Sequence, residues 1–178
     1  PEETLKLTEH TQPAILTHST MVVRACGARL PKPDFVAGHS LGEYSALVAA
    51  GALTFADAVR TVRERGRAMQ TAVPVGVGAM AAIIGMKVED VEAGCREAAE
   101  ATGRVVVPAN FNGAGQVVIA GHAEAVDAAI EVLKGKGGRK MVKLPVSAPF
   151  HSPLMEPAQA HMKPVLEALA FNSATCPL

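Results

Sequence analysis

Phe35-Val36-Ala37-Gly38-His39-Ser40-Leu41-Gly42-Glu43-Tyr44, residues 35–44, pass from an apolar triplet through a glycine-flanked serine into a helical pattern. After the Pro31-Lys32-Pro33 turn, Phe35-Val36-Ala37 predicts a short buried strand, and Leu41 to Ala50 predicts a helix closed by Gly51. The pentapeptide between them, Gly38-His39-Ser40-Leu41-Gly42, matches the G-x-S-x-G nucleophile elbow. In that turn the serine backbone is strained, and the glycines two residues on either side leave room for close packing. Ser40 Oγ is then exposed at the top of a sheet, and the Leu41 N–H, at the helix start, faces a developing oxyanion. The plain alternative is a serine that only caps a helix. A strand before it and a helix after it favour the elbow, and with it an α/β fold.

Upstream, Thr11-Gln12-Pro13 predicts a helix start, with proline tolerated in the first turn; the apolar run that follows stops at Gly27. Downstream, Thr54 with Asp57 three positions later predicts a capping box and a helix to about Gln70. At 100° per residue, Phe55, Val59, Val62, Gly66 and Met69 share one face, with Arg60, Arg63 and Arg67 opposite. Arg65 falls on the flank of the apolar face, beside Ala58 and Met69. Its guanidinium either snorkels outward along the stem or points into a pocket and awaits an anion. A guanidinium grips a carboxylate through two parallel hydrogen bonds. A serine transferase with such an arginine prefers an acyl group carrying a free carboxylate, and malonyl fits.

From Gly78 the rhythm changes. Residues 79–86 read as a strand, and Val88, Val91, Cys95 and Ala98 mark a helix face. Val105-Val106-Val107 and residues 116–120 read as strands joined across Asn112-Gly113-Ala114-Gly115. Val126, Ala129, Ile130 and Leu133 mark a second helix face ended by Gly135, and residues 140–146 read as a last strand. The order βαββαβ is the ferredoxin-like pattern. Outside it only the strand at 35–37 remains, and one strand makes no sheet. The expectation is therefore a fragment whose sheet partners lie beyond both ends.

Composition narrows the function classes. The 178 residues are 49% hydrophobic with 3% aromatics, enough for a sizeable core, and 17 basic residues balance 17 acidic ones. That balance gives no electrostatic case for nucleic acid or an anionic membrane. No run approaches the roughly 18 apolar residues of a membrane span. No leader is visible, and the chain opens on Pro1 rather than methionine. Cys26, Cys95 and Cys176 are odd in number and far apart, with no CxxC pair, so neither zinc nor a disulfide framework is expected. Cys95 reads as a small buried hydrophobe, and a reducing, cytoplasmic setting fits.

A serine nucleophile needs a base. Of six histidines, His39 adjoins the serine and points away, while His10, His18, His122 and His161 lie on or beside other elements. His151 follows a strand, in Pro149-Phe150-His151-Ser152-Pro153, where two prolines stiffen the loop. It is the best base on offer, against the plain reading of an ordinary loop histidine. No carboxylate is an obvious partner for it, and Glu156, five residues on, gives no evidence of contact.

Five motifs in order carry a resemblance to a known family. They are Gly38-His39-Ser40-Leu41-Gly42-Glu43-Tyr44, Arg65-Gly66 with Met69-Gln70, Gly78-Ala79-Met80-Ala81-Ala82, Asn110-Phe111-Asn112, and Phe150-His151-Ser152-Pro153-Leu154-Met155. Together, from Thr11-Gln12-Pro13-Ala14 to about Pro157, the chain resembles malonyl-CoA:acyl carrier protein transacylases and related polyketide-synthase acyltransferase domains. The resemblance implies an α/β-hydrolase-like large subdomain (residues 1–75 and, with the histidine loop, 148–178) with a ferredoxin-like insert at 76–147. It makes Ser40 the acylated nucleophile, His151 its base, Arg65 the malonyl carboxylate clamp and the Leu41 amide half of an oxyanion hole. Phe150, just before the histidine, is where malonyl-selective members carry phenylalanine. The implied partners are malonyl-CoA and an acyl carrier protein, with coenzyme A and phosphopantetheine as acyl carriers and no metal or redox cofactor. Arg60, Arg63, Arg67, Arg139 and Lys140 are candidates for docking an acidic carrier. The family's GQG-type motif and the carboxy-terminal carbonyl that orients its histidine are not among these residues. A serine esterase or thioesterase, or a non-catalytic carrier-binding module, is the alternative.

Overall fold

The computed structural model describes residues 2–146 and 148–178; Ser147, where the expected insert closes, lies outside the described residues. The chain divides into two units, one of residues 1–68 with 160–178, the other of residues 69–159.

The first unit is helical. A short helix α1 (Glu2–Leu5) precedes α2 (Thr8–Cys26), which ends at Gly27 with φ 48°. The helix starts three residues before the predicted Thr11, so Pro13 lies inside it rather than in its first turn. There it withholds a donor from the Glu9 carbonyl, a local cost that the buried face of α2 offsets. The run at 35–37 is not a strand: Val36 N–H donates to Pro177 O at 3.0 Å, but no ladder forms among the described residues. A strand is defined by its neighbours, and one bond supplies none.

Helix α3 (Gly42–Ala49) follows the serine, and α4 (Phe55–Ala72) follows Thr54. Leu16 of α2, Leu41, Leu53, Ala58 and Val62 form the core here, with Tyr44, Phe55 and Leu169 against it. Arg60, Arg63 and Arg67 are exposed as expected, and Arg65 is half-buried. The carboxy-terminal segment is tied to the α3–α4 turn, with Asn172 N–H on Ala52 O at 2.9 Å and Thr175 N–H on Ala50 O at 2.8 Å.

The second unit holds a four-stranded antiparallel sheet: β1 (Gly78–Ile84), β2 (Val106–Phe111), β3 (Gln116–His122) and β4 (Lys140–Lys143), in the order β2-β3-β1-β4. Helices α5 (Val88–Thr102) and α6 (Ala123–Gly135) complete the order βαββαβ. Alternation sorts the strands' side chains. Ala81, Ile83, Val117 and Ile119 join Val91, Cys95, Ala98, Val126, Ala129 and Leu133 in one core. Met80, Ala82, Val118 and Ala120 face the other way and are covered by Leu144 and Phe150. Burial on both faces explains the unbroken apolar run of β1. Cys95 is 2% exposed, and burial raises its thiol pKa to about 12, as suits the expected small buried hydrophobe.

Two strand ends differ from prediction. β4 stops at Lys143 rather than 146, because Pro145 has no N–H to extend the ladder. β2 runs on to Phe111 through Pro108, which an edge strand tolerates, with a register shift between Pro108 and Asn110. The predicted turn at Asn112–Gly115 closes this hairpin, with Asn112 N–H on Gln116 O at 3.0 Å. Helix α6 passes through Gly135, and the left-handed residue that follows it is Gly137, at φ 90°. Among the described residues no helix is long and apolar enough to cross a membrane.

Candidate active site

The elbow is strained at its serine. Ser40 has φ 54°, a left-handed conformation that a residue with a Cβ rarely adopts. The turn is closed by Gly42 N–H on His39 O at 2.9 Å and Glu43 N–H on Ser40 O at 3.2 Å. Gly38 must be glycine, because a Cβ there would lie 1.9 Å from the Gly42 carbonyl carbon. Gly42 has open space around it, so only one of the two flanking glycines is sterically required. Leu41 is buried in the core beneath, directly before α3, and among the described residues its N–H has no acceptor. An open cleft of about 650 Å³ borders Ser40, with Ile15, Ser19, Val36 and Ser45 in its wall.

Arg65 does not snorkel. Its Nη2 donates to Ser40 Oγ at 3.1 Å and its Nη1 to Gln12 Oε1 at 2.7 Å. The Tyr44 ring lies against the guanidinium, its centroid 5.9 Å from Cζ. Burial lowers the Arg65 pKa from its ordinary value, opposed by Tyr44 and Glu43, and burial raises that of Tyr44, opposed by Arg65. The result is a fixed cation beside a hydroxyl, with guanidinium donors still to offer an anion.

Gln12 is the residue that sequence reading missed. Its signal was a four-residue stripe, Thr8, Gln12, Leu16 and Thr20, all buried on α2. Two polar residues, Thr8 and Gln12, open the stripe at helical spacing, which marks a place where α2 must satisfy buried hydrogen bonds.

His151 lies in the second unit, exposed and also left-handed, at φ 58°. Its loop is firmly held. Pro149 is fully buried and so close to Gly78 that a Cβ there would meet its ring at 2.4 Å. Ser152 Oγ donates to Pro149 O at 2.7 Å, and Pro153 opens a 3-10 turn ending at Met155. Phe150 packs on the sheet face with Met80, Ala82 and Val118. Two of the other histidines have structural partners: His122 Nδ1 accepts from Val105 N–H at 3.2 Å, and His161 pairs with Glu64 at 2.7 Å.

A left-handed serine two residues after a glycine, ahead of a helix and beside a held guanidinium, is an arrangement that would suit a serine nucleophile. The acyl transferase domain family matches residues 1–177, and the chain belongs to that family. It is 51% identical over 179 residues to the malonyl CoA-acyl carrier protein transacylase of Escherichia coli (strain K12), covering 100% of this chain and 57% of that relative. The chain thus spans little more than half that relative's length. The crystal structure of malonyl-CoA:acyl carrier protein transacylase from Xanthomonas oryzae pv. oryzae KACC10331 superposes with a TM-score of 0.96 at 49% identity, covering 99% of this chain and 56% of that one. A type II PKS acyl-carrier protein in complex with its malonyl-transacylase matches with a TM-score of 0.95 at 46% identity, over 99% and 57%.

Proposed function

We propose that the protein transfers a malonyl group from malonyl-CoA to the phosphopantetheine thiol of an acyl carrier protein, through a malonyl ester on Ser40, in fatty-acid biosynthesis. The names of the relatives agree with this reading, and one observation carries it: the Arg65 guanidinium donating to Ser40 Oγ at 3.1 Å. The carboxylate of a malonyl ester begins three bonds from Oγ, so a cation already bonded to Oγ is within its reach. An acetyl ester offers that cation nothing.

The steps are those of a ping-pong transfer. Ser40 Oγ attacks the thioester carbonyl while His151 takes its proton, and the Leu41 N–H stabilises the oxyanion. Collapse breaks the C–S bond, and the coenzyme A thiolate takes the proton from His151. The carrier's thiol then gives His151 a proton and attacks the ester, and Ser40 Oγ leaves and recovers that proton. No electrons are gained or lost, so the chemistry calls for no redox cofactor. What supports His151 as the base is its strained, buttressed loop. Phe150 is proposed to crowd an α-methyl branch and so to favour malonyl over methylmalonyl. A cytoplasmic location fits such a reaction. Exposed Arg60, Arg63 and Arg67 are candidate contacts for an acidic carrier, together with Arg139 and Lys140.

The finer fold reading goes with this one. Residues 76–147 form a ferredoxin-like subdomain, for which the strand order β2-β3-β1-β4 is the support, and 1–75 with 148–178 belong to an α/β-hydrolase-like subdomain.

The rival is a serine esterase, for which a cation beside the acyl pocket serves no purpose. In the full-length protein, Arg65→Ala is expected to lower the preference for malonyl-CoA over acetyl-CoA by roughly 150-fold, two charge-assisted hydrogen bonds at about 1.5 kcal/mol each. Equal use of malonyl-CoA and acetyl-CoA by the unmutated protein would favour the esterase.

A further inference from the structure

We propose that Gln12 is a positioning residue that sets the Arg65 guanidinium for carboxylate-bearing acyl groups, so that malonyl selectivity depends on it. The proposal rests on the reading of Arg65 as carboxylate clamp and extends it to a residue that acts through Arg65.

The chemistry of the contact fixes the amide's orientation. Arginine only donates, so the Gln12 oxygen must face it, and the Gln12 NH₂ points the other way. There Nε2 donates to Thr8 Oγ1 at 2.9 Å, a bond between two buried side chains. Gln12 is 5% exposed and is held at both ends of its amide. Backbone geometry sets the spacing between the two helices. At Gly66, the residue after Arg65, a Cβ would lie 2.6 Å from both Glu9 Cα and Thr8 O. Helix α4 therefore comes down on the first turn of α2 at that point, and Arg65 meets Gln12 in a fixed register.

Three contacts then define the guanidinium: Gln12 on Nη1, Ser40 on Nη2 and the Tyr44 ring against it. A long, flexible side chain is pre-ordered before substrate arrives, which lowers the ordering cost of gripping a carboxylate. The neutrality of Gln12 matters as much as its position. An amide oxygen orients the cation without cancelling its charge, whereas a carboxylate in the same place would occupy the guanidinium and compete with the substrate.

The test is kcat/KM for malonyl-CoA and for acetyl-CoA, with holo carrier protein as acceptor, in the full-length protein. The variants are Gln12→Ala, Gln12→Glu, Arg65→Ala and the Gln12→Ala/Arg65→Ala double. Gln12→Ala is expected to lower the malonyl value by about 10- to 100-fold, the range that a small misplacement costs, with the malonyl-to-acetyl ratio falling in step. Gln12→Glu is nearly isosteric and is expected to lower the ratio through a raised malonyl KM. The double variant is expected to show the ratio of Arg65→Ala alone, because the two residues act as one device. Equal losses on both thioesters in Gln12→Ala, or a further fall in ratio in the double, would assign Gln12 to packing and overturn the proposal. A ratio lost in Arg65→Ala but kept in both Gln12 variants overturns this proposal alone. A ratio unchanged in Arg65→Ala overturns the clamp reading, and this one with it. Should Gln12→Ala fail to fold, Gln12→Glu decides the matter.

Discussion

Among the described residues, three that are not glycine take a positive φ: Ser40, Ala114 and His151. Ala114 sits between two left-handed glycines in a hairpin loop, where the turn demands it. Ser40 and His151 have no such excuse, and strain held by the surrounding structure gathers where geometry serves chemistry. The strain at Ser40 was legible in Gly38-His39-Ser40-Leu41-Gly42; the strain at His151 was not, because nothing in Phe150-His151-Ser152 demands it locally. Gln12 was hidden for a specific reason: Pro13 looked like a first-turn proline, which placed Gln12 at a fraying end instead of in the body of α2. The two glycines of the elbow separate cleanly. Gly38→Ala is expected to destabilise the fold by about 3 kcal/mol or more, since backbone rather than a movable side chain fills the space. Gly42→Ala, at the first residue of α3 with open space around it, is expected to stabilise by about 0.5 kcal/mol. Urea unfolding of the two variants checks both signs.

At the scale of elements, the sequence was most readable where an element's partners are close along the chain. The hairpin of β2 and β3 and the apolar faces of α5 and α6 pair with neighbours within residues 78–143, so periodicity alone located them. The apolar run at 35–37 failed as a strand because ladders depend on residues elsewhere. The cap of α4 was readable in type but not in detail. Asp57 N–H donates to Thr54 Oγ1 at 3.1 Å, but the Thr54 hydroxyl donates to the Asp57 carboxylate at 2.6 Å, where a full capping box would return to the backbone. Aspartate is one methylene too short to reach back. The Thr54 hydroxyl, and then Arg60, hold the Asp57 pKa below its ordinary 3.8. A depressed carboxylate contributes stability above its unfolded value and loses it as pH falls through the folded one. Thr54→Ala, which removes the cap bond to the Asp57 N–H, is expected to cost about 1 kcal/mol at pH 7. Its gap from the unmutated protein should narrow below pH 3.8, as read from unfolding midpoints at the two pH values.

For the whole molecule, each unit holds its own residues of the proposed site. The first places Ser40, Leu41, Gln12 and Arg65 through the packing of α2, α3 and α4. The second buries both faces of its sheet and pins the Pro149–Met155 loop that carries His151. The proposed function was legible because its motifs are local, three to seven residues each, and survive without any knowledge of distances. The Arg65–Ser40 bond was not, because 25 residues and a helix packing separate its partners. The most direct measurement is intact-protein mass after brief incubation of the full-length protein with malonyl-CoA, beside Ser40→Ala. One malonyl adduct on the unmutated protein, absent from Ser40→Ala, is the expected result. No adduct, or the same adduct on both, would contradict Ser40 as the nucleophile.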